Sequence, residues 1–114
     1  MAATSAGERR KPLRFNLAGA YIPGTTLSRT NLVCANFSRA NCTRVDFSDS
    51  VMRDANLSGT VLVEANLQRV DFENANLKGA DLRGADLTDA INLTSQQIGE
   101  AIVDANTKFP GRVG

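Results

Sequence analysis

Residues 55–89 read ANLSG TVLVE ANLQR VDFEN ANLKG ADLRG ADLTD, and their spacing decides the architecture. A large apolar residue returns every fifth position. Extended in both directions, the series runs Leu17, Ile22, Leu27, Leu32, Phe37, Cys42, Phe47, Met52, Leu57, Leu62, Leu67, Phe72, Leu77, Leu82 and Leu87. Two places before each stands a small or β-branched residue, such as Ala20, Thr25, Ala40, Val45, Ser50 or Ala80, with Phe15 as the single large exception. Between the two columns lies mostly Asn or Asp: Asn16, Asn31, Asn36, Asn41, Asp46, Asn56, Asn66, Asp71, Asn76, Asp81 and Asp86.

Neither a helix nor a straight strand carries such a period. Five residues turn a helix by about 500°, so the apolar positions would wander around it. An odd period on a strand sends alternate repeats to opposite faces. A coil that turns a corner after every pentad satisfies the pattern, with the large residue and the small one before it pointing inward. A short polar side chain beside the corner can bond local backbone. A fixed period of this kind predicts a solenoid.

The runs ANFSR, ANLSG, ANLQR, ANLKG, ADLRG and ADLTD resemble the A(D/N)LXX signature of the pentapeptide-repeat family, over residues 15–89 without an insertion. The resemblance implies a right-handed quadrilateral β-helix with four pentads per coil, an all-β fold of about four coils. Residues twenty apart then stack in columns, Leu17–Phe37–Leu57–Leu77 among them, in a rod about 18 Å long. Cys42 and Met52 are expected to relieve crowding beside Phe37 and Phe47. Cys34 points outward and Cys42 inward, so the two should not pair. The N-x-[ST] sequons at Asn36, Asn41, Asn56 and Asn92 follow from the repeat itself, and no apolar stretch opens the chain as a secretory signal would. Reduced cysteines and a cytoplasmic, bacterial-style protein are the expectation.

The ends differ from the middle. Residues 1–14, MAATSAGERRKPLR, read as a disordered basic tail, with a docking arm for an acidic partner or a transit-like segment as alternatives. Such a tail leaves the first coil edge open, and an open β-edge invites pairing. Self-association or partner contact is expected there. At the other end Thr94-Ser95-Gln96-Gln97 reads as a capping box. Ile98, Ala101, Ile102 and Ala105 follow at helical spacing, predicting a capping helix over about 95–105 within a segment 91–107, with 108–114 as a tail. A dimer interface is the alternative role of that helix.

Composition narrows the function. The chain has 114 residues, net charge +1, two Cys and no His. It lacks the commonest general base and the ligands of a four-thiolate zinc site. Its acids lie on the outside of a convex rod, so no catalytic residue, metal, cofactor or small-molecule substrate is assigned. No apolar run is long enough to span a bilayer. Seven solenoid bases interspersed with nine acids, and no stacking platform, argue against nucleic acid. Some members of the family mimic DNA and protect type II topoisomerases such as gyrase. That alternative implies a long, strongly acidic rod, whereas this one carries only a slight negative excess. The leading expectation is a non-enzymatic interaction or scaffold module. Tyr21 and Val61 replace Asn or Asp in one column, with Pro23 and Val63 beside it and Arg44 and Arg83 flanking. They predict an apolar wall with a basic rim that docks a protein, with Tyr21 as anchor. Val33 and Val51 would belong to a different contact on the opposite wall.

Overall fold

Each pentad turns one corner, and backbone in the left-handed region makes the turn. In the computed structural model, which describes residues 14–114, the residue two places after every large apolar position has φ between 50° and 71°. Glycine fills five of these fifteen corners; residues such as Arg39, Asp54, Glu64 and Asn74 fill the rest. Holding a non-glycine residue there costs on the order of 1 kcal/mol. Two kinds of hydrogen bond offset the cost. The first closes the turn, as when Ala40 N–H donates to Phe37 O at 2.9 Å. The second comes from the Asn or Asp column. All eleven of these side chains accept the N–H two residues on, at 2.9–3.2 Å. Only a side-chain oxygen is needed, so Asn and Asp interchange.

Residues twenty apart lie side by side. Parallel bridges join Asn16 to Asn36, Asn36 to Asn56 and Asn56 to Asn76, and the other three columns follow the same rule. Donation runs both ways at each rung: Phe37 N–H to Asn56 O and Asn56 N–H to Ala35 O, both at 2.8 Å. The result is a β-helix with four walls. Wall A holds residues 15–19, 35–39, 55–59 and 75–79. Wall B holds 20–24, 40–44, 60–64 and 80–84. Wall C holds 25–29, 45–49, 65–69 and 85–89, and wall D 30–34, 50–54 and 70–74.

The interior is the stack of apolar positions. From Leu32 to Leu87 every large one is at most 2% exposed. Leu17, Ile22 and Leu27 are only partly buried, because no coil among the described residues covers the first. Phe37 and Phe47 meet edge to face with centroids 5.5 Å apart, and the smaller Cys42 between them in the chain leaves room for that contact. In the second and third coils the hydroxyls of the small column donate to the coil above, Ser50 to Leu27 O and Thr60 to Phe37 O, both at 2.7 Å. Apart from exposed Arg14, the basic tail expected over 1–14 lies outside the described residues.

The C-terminal segment differs from the expectation in two respects: the helix is shorter, and residues 108–114 are not a free tail, since Lys108 pairs with Asp86 and Gly114 N–H donates to Leu93 O at 2.9 Å. Helix α1 spans Ser95–Glu100, and its capping box forms as read: Gln97 N–H donates to Thr94 Oγ1, and Gln97 Oε1 accepts Thr94 N–H. The helix stops at Glu100 rather than continuing to 105. Ala101 is extended, and Ile102 enters the ladder instead, pairing with Asp81, its N–H donating to Ala80 O at 2.8 Å. A β-ladder satisfies that backbone while favouring the β-branched Ile102–Val103 pair. Of the predicted helical stripe, Ile98 and Ala101 pack against the core, while Ile102 and Ala105 are exposed. Ile91 pairs with Asp71 and Lys108 with Asp86, so walls B, C and D each gain a further rung. Beneath wall A lies α1, whose Glu100 carbonyl accepts Gly79 N–H at 2.8 Å.

Candidate functional site

Wall B brings the predicted docking residues together, with two corrections. Tyr21, Asn41, Val61, Asp81 and Ile102 form one column of successive bridges. Tyr21 is 77% exposed and stands clear of the wall; Pro23, Val61 and Val63 are half-buried. Tyr21 and Val61 do not touch, since Asn41 occupies the rung between them and the two lie about 10 Å apart at ~4.8 Å per rung. The first correction concerns continuity: polar and apolar residues alternate down the column. The second concerns charge. Arg44 Nη1 lies 3.3 Å from Glu64 Oε1, and Arg83 Nη2 lies 2.7 Å from Asp81 Oδ2. Both arginines are paired, so the rim is not basic. Ile102, 49% exposed, extends the apolar set. The helical spacing had placed Ile102 within the capping helix, because one extra residue in the last coil throws it out of the five-residue frame.

The pentad period, the left-handed corners and the twenty-residue ladder coincide with what a family model finds independently. The model for pentapeptide repeats matches residues 16–49, 40–79 and 50–89 in eight copies. The chain belongs to the pentapeptide-repeat family. Among solved structures it is similar to the pentapeptide-repeat protein Rfr23 of the cyanobacterium Cyanothece 51142, with 25% identity and TM-score 0.75 over 88% of this chain and 67% of that one. It is also similar to a pentapeptide-repeat protein of the Arabidopsis thaliana thylakoid lumen, with 29% identity and TM-score 0.63. That match covers 84% of this chain and 59% of the plant protein's length. No curated protein matches the chain.

The other walls of this pentapeptide-repeat protein carry different electrostatics. On wall C, Arg69 meets Asp49 through two hydrogen bonds, at 2.7 and 3.1 Å, and Asp46 and Asp86 lie alongside. Gln68 Nε2 donates to Asp86 Oδ2 at 2.6 Å. On wall D, Asp71 is 3% exposed and receives Arg53 Nε at 2.5 Å, Asn92 Nδ2 at 2.8 Å and Glu73 N–H at 3.1 Å. Burial pushes its carboxyl up, but those hydrogen bonds outweigh burial and hold it below the ordinary carboxylate range. Val33 and Val51 sit beside Arg53 in a shallow depression on the same wall. Wall A carries Arg39 and Lys78 and no acid.

Among the described residues no group of three His, Cys, Asp or Glu is placed to hold a metal ion, and no helix is long and apolar enough to cross a membrane. Cys42 is fully buried, and burial pushes its thiol up to about 12, which leaves no thiolate near neutral pH. Cys34 is half-buried at a corner of wall D. Depressions on the rod are shallow and open, one of them lined by Val63, Glu64, Arg83, Gly84, Asp104 and Asn106 on wall B.

Proposed function

We propose that the protein is a non-enzymatic protein–protein interaction module, with wall B as its docking surface and Tyr21 as the aromatic anchor. The observation that carries this reading is the exposure of Tyr21: a 77% exposed tyrosine projects from a column in which Asn41, Val61 and Asp81 are half-buried. Tyrosine supplies large contact area at low entropic cost and is a common hot-spot residue. Val61 and Ile102, spaced two rungs apart down the same column, supply apolar contact below it. The paired Arg44–Glu64 and Arg83–Asp81 groups serve as a polar rim that specifies rather than attracts.

On this reading the coil is right-handed, four-sided and capped by the segment around α1, and the protein acts in the cytoplasm. Self-association uses the first coil edge, where the N–H groups of Asn16, Tyr21, Thr26 and Asn31 have no partner among the described residues, or the C-terminal end. The gyrase-protecting, DNA-mimicking alternative has no support in the wall charges: acids and bases pair locally, and only walls C and D carry an excess of acid. The test is a pull-down from source lysate with wild type and the Tyr21→Arg, Val61→Arg double variant. Retention of a partner by wild type and its loss from the variant supports wall B. Identical recovery by both removes it.

A further inference from the structure

The two ends of the solenoid are finished differently. At the C-terminal end Ile91, Ile102 and Lys108 supply a further rung to three walls, and α1 lies under the fourth. Above the first coil nothing among the described residues does the same. Asn36, Asn41, Asp46 and Val51 each donate their N–H to the coil above, and each carbonyl accepts an N–H from it. Their counterparts one coil up, Asn16, Tyr21, Thr26 and Asn31, turn both groups toward the open end. Neither group of any of them has a partner among the described residues. Leu17, Ile22 and Leu27 are only partly buried there, and Phe15 is 39% exposed.

The sequence before Phe15 does not write another coil. Carried back one pentad, the frame puts Pro12, which has no N–H to donate, where each large apolar residue stands, and Arg10 in the small inward slot. The first coil also lacks the usual protection of an exposed edge. Residues 15–34 carry one charge, Arg29, and no acid, whereas each of the three later coils carries three acids. Inward charges and proline in the ladder discourage edge pairing. The coil's one proline, Pro23, stands outside the ladder: its counterparts Thr43, Val63 and Arg83 donate no ladder bond.

The shape of the edge decides what fits it. A straight strand can follow one wall and then departs, because the coil turns a corner every five residues. A coil with the same corners follows all four. Opposed across a two-fold axis perpendicular to the rod, two first coils run antiparallel, and facing residues of an antiparallel pair exchange both N–H···O bonds. Asn16, Tyr21, Thr26 and Asn31 present the N–H and carbonyl that such pairs need, one pair for each wall. The same approach covers Phe15, Leu17, Ile22 and Leu27. With opposite walls about 10 Å apart and side chains on their outer faces, the end measures on the order of 400 Å². That is about half of one side of a standard interface, which suits a dimer that forms reversibly at micromolar concentration.

We propose that the first coil is a homodimer interface, in which two copies of this chain join head to head about a two-fold axis and each wall gains one antiparallel rung. This rests on the self-association reading above, narrows it to one end and one geometry, and is independent of docking on wall B. The test is sedimentation equilibrium of the full chain, with thiols kept reduced, from about 1 to 500 µM, beside amide hydrogen exchange at both extremes. A monomer passing to a dimer with no larger species is expected, since a two-fold interface closes on itself and head-to-tail stacking does not. The N–H groups of Asn16, Tyr21, Thr26 and Asn31 should exchange at least about tenfold more slowly in the dimer. Leu27→Lys sets an inward charge at the edge while keeping a long apolar stem over the next coil, and should weaken dimerisation at least about tenfold. Phe109→Arg with Val113→Arg, near α1 at the opposite end, and Val61→Arg on wall B should leave it unchanged. A monomer at every concentration overturns this proposal and the self-association reading together. Dimerisation lost in the Phe109, Val113 variant but equal to wild type in Leu27→Lys overturns the head-to-head geometry alone, as do species larger than a dimer. Slow exchange of the four amides in the monomer, the mark of an edge covered by the residues before Phe15, also overturns it.

Discussion

Asn56 Oδ1 accepts the Ser58 N–H at 3.0 Å, and the left-handed corner at Gly59 follows directly behind that bond. Ser58 Oγ donates to the same oxygen at 2.7 Å. The oxygen, not the amide, is therefore the structural part of this side chain. Asn56→Ala should lower stability by about 1 kcal/mol, while Asn56→Asp should stay within about 0.5 kcal/mol of wild type. Urea midpoints at constant slope measure both. Equal costs would mean that the amide nitrogen has a structural role.

Gln97 does two jobs at the last coil. Besides closing the capping box, its Nε2 donates to Phe72 O at 2.9 Å and Ala75 O at 3.0 Å. Without it the Ala75 carbonyl loses its donor and the Phe72 carbonyl keeps only the Ala75 N–H, so Gln97→Ala should cost about 2 kcal/mol. Gln97→Glu keeps an oxygen for Thr94 N–H but loses both donations, and should cost nearly as much. Hydrogen exchange in α1 should accelerate in both variants. A neutral Gln97→Glu would show that the capping box alone secures the helix.

The two thiols should behave oppositely. Cys42 is buried with its thiol pushed up to about 12, and Cys34 is partly accessible. A thiol reagent at neutral pH should modify one cysteine in the native protein and the second only after denaturation. Modification of both without unfolding would contradict the complete burial of Cys42.

Acid should destabilise the rod over a defined range. Asp81 and Asp46 are held low chiefly by hydrogen bonds from the Arg83 side chain and the Ser48 hydroxyl. At Asp86 burial acts upward, and bonds from Thr88 and Gln68 overcome it. These carboxyls have lower pKa values folded than unfolded, where about 3.9 applies. Their stabilisation is complete above that value and is lost as pH falls through the folded values. Melting temperature should therefore be flat from neutral pH to about 5 and fall below about 4. Asp71→Asn should start lower, having lost its pair with Arg53, and should show a shallower fall.

The middle of the chain was legible because each pentad repeats the same local argument. A large apolar residue and a positive-φ corner occur fifteen times in phase, with an inward small residue before all but the first and an Asn or Asp oxygen for the turn in eleven of the pentads. Repetition made weak signals additive. Past Leu87 the frame slips: Ile91, Ile102 and Lys108 pair at offsets of 20, 21 and 22 residues. Periodicity alone then favours a longer helix, since Ile98, Ala101, Ile102 and Ala105 also fit a helical stripe. Thr107-Lys108-Phe109-Pro110-Gly111 was the available clue. Thr107 Oγ1 donates to Leu82 O at 2.8 Å as the inward hydroxyls of earlier coils do. Side-chain pairing was out of reach for another reason. Whether Arg44 and Arg83 face solvent or an acid depends on rung-to-rung and within-pentad geometry, and column membership alone left their wall looking basic.

The most direct test of the docking account is photo-crosslinking in cells of the source organism, with benzoylphenylalanine placed at Tyr21 on wall B or, as the control, at Arg69 on wall C. The account predicts a discrete protein adduct from position 21 and none from position 69. No adduct from position 21, or the same adduct from both positions, would contradict it.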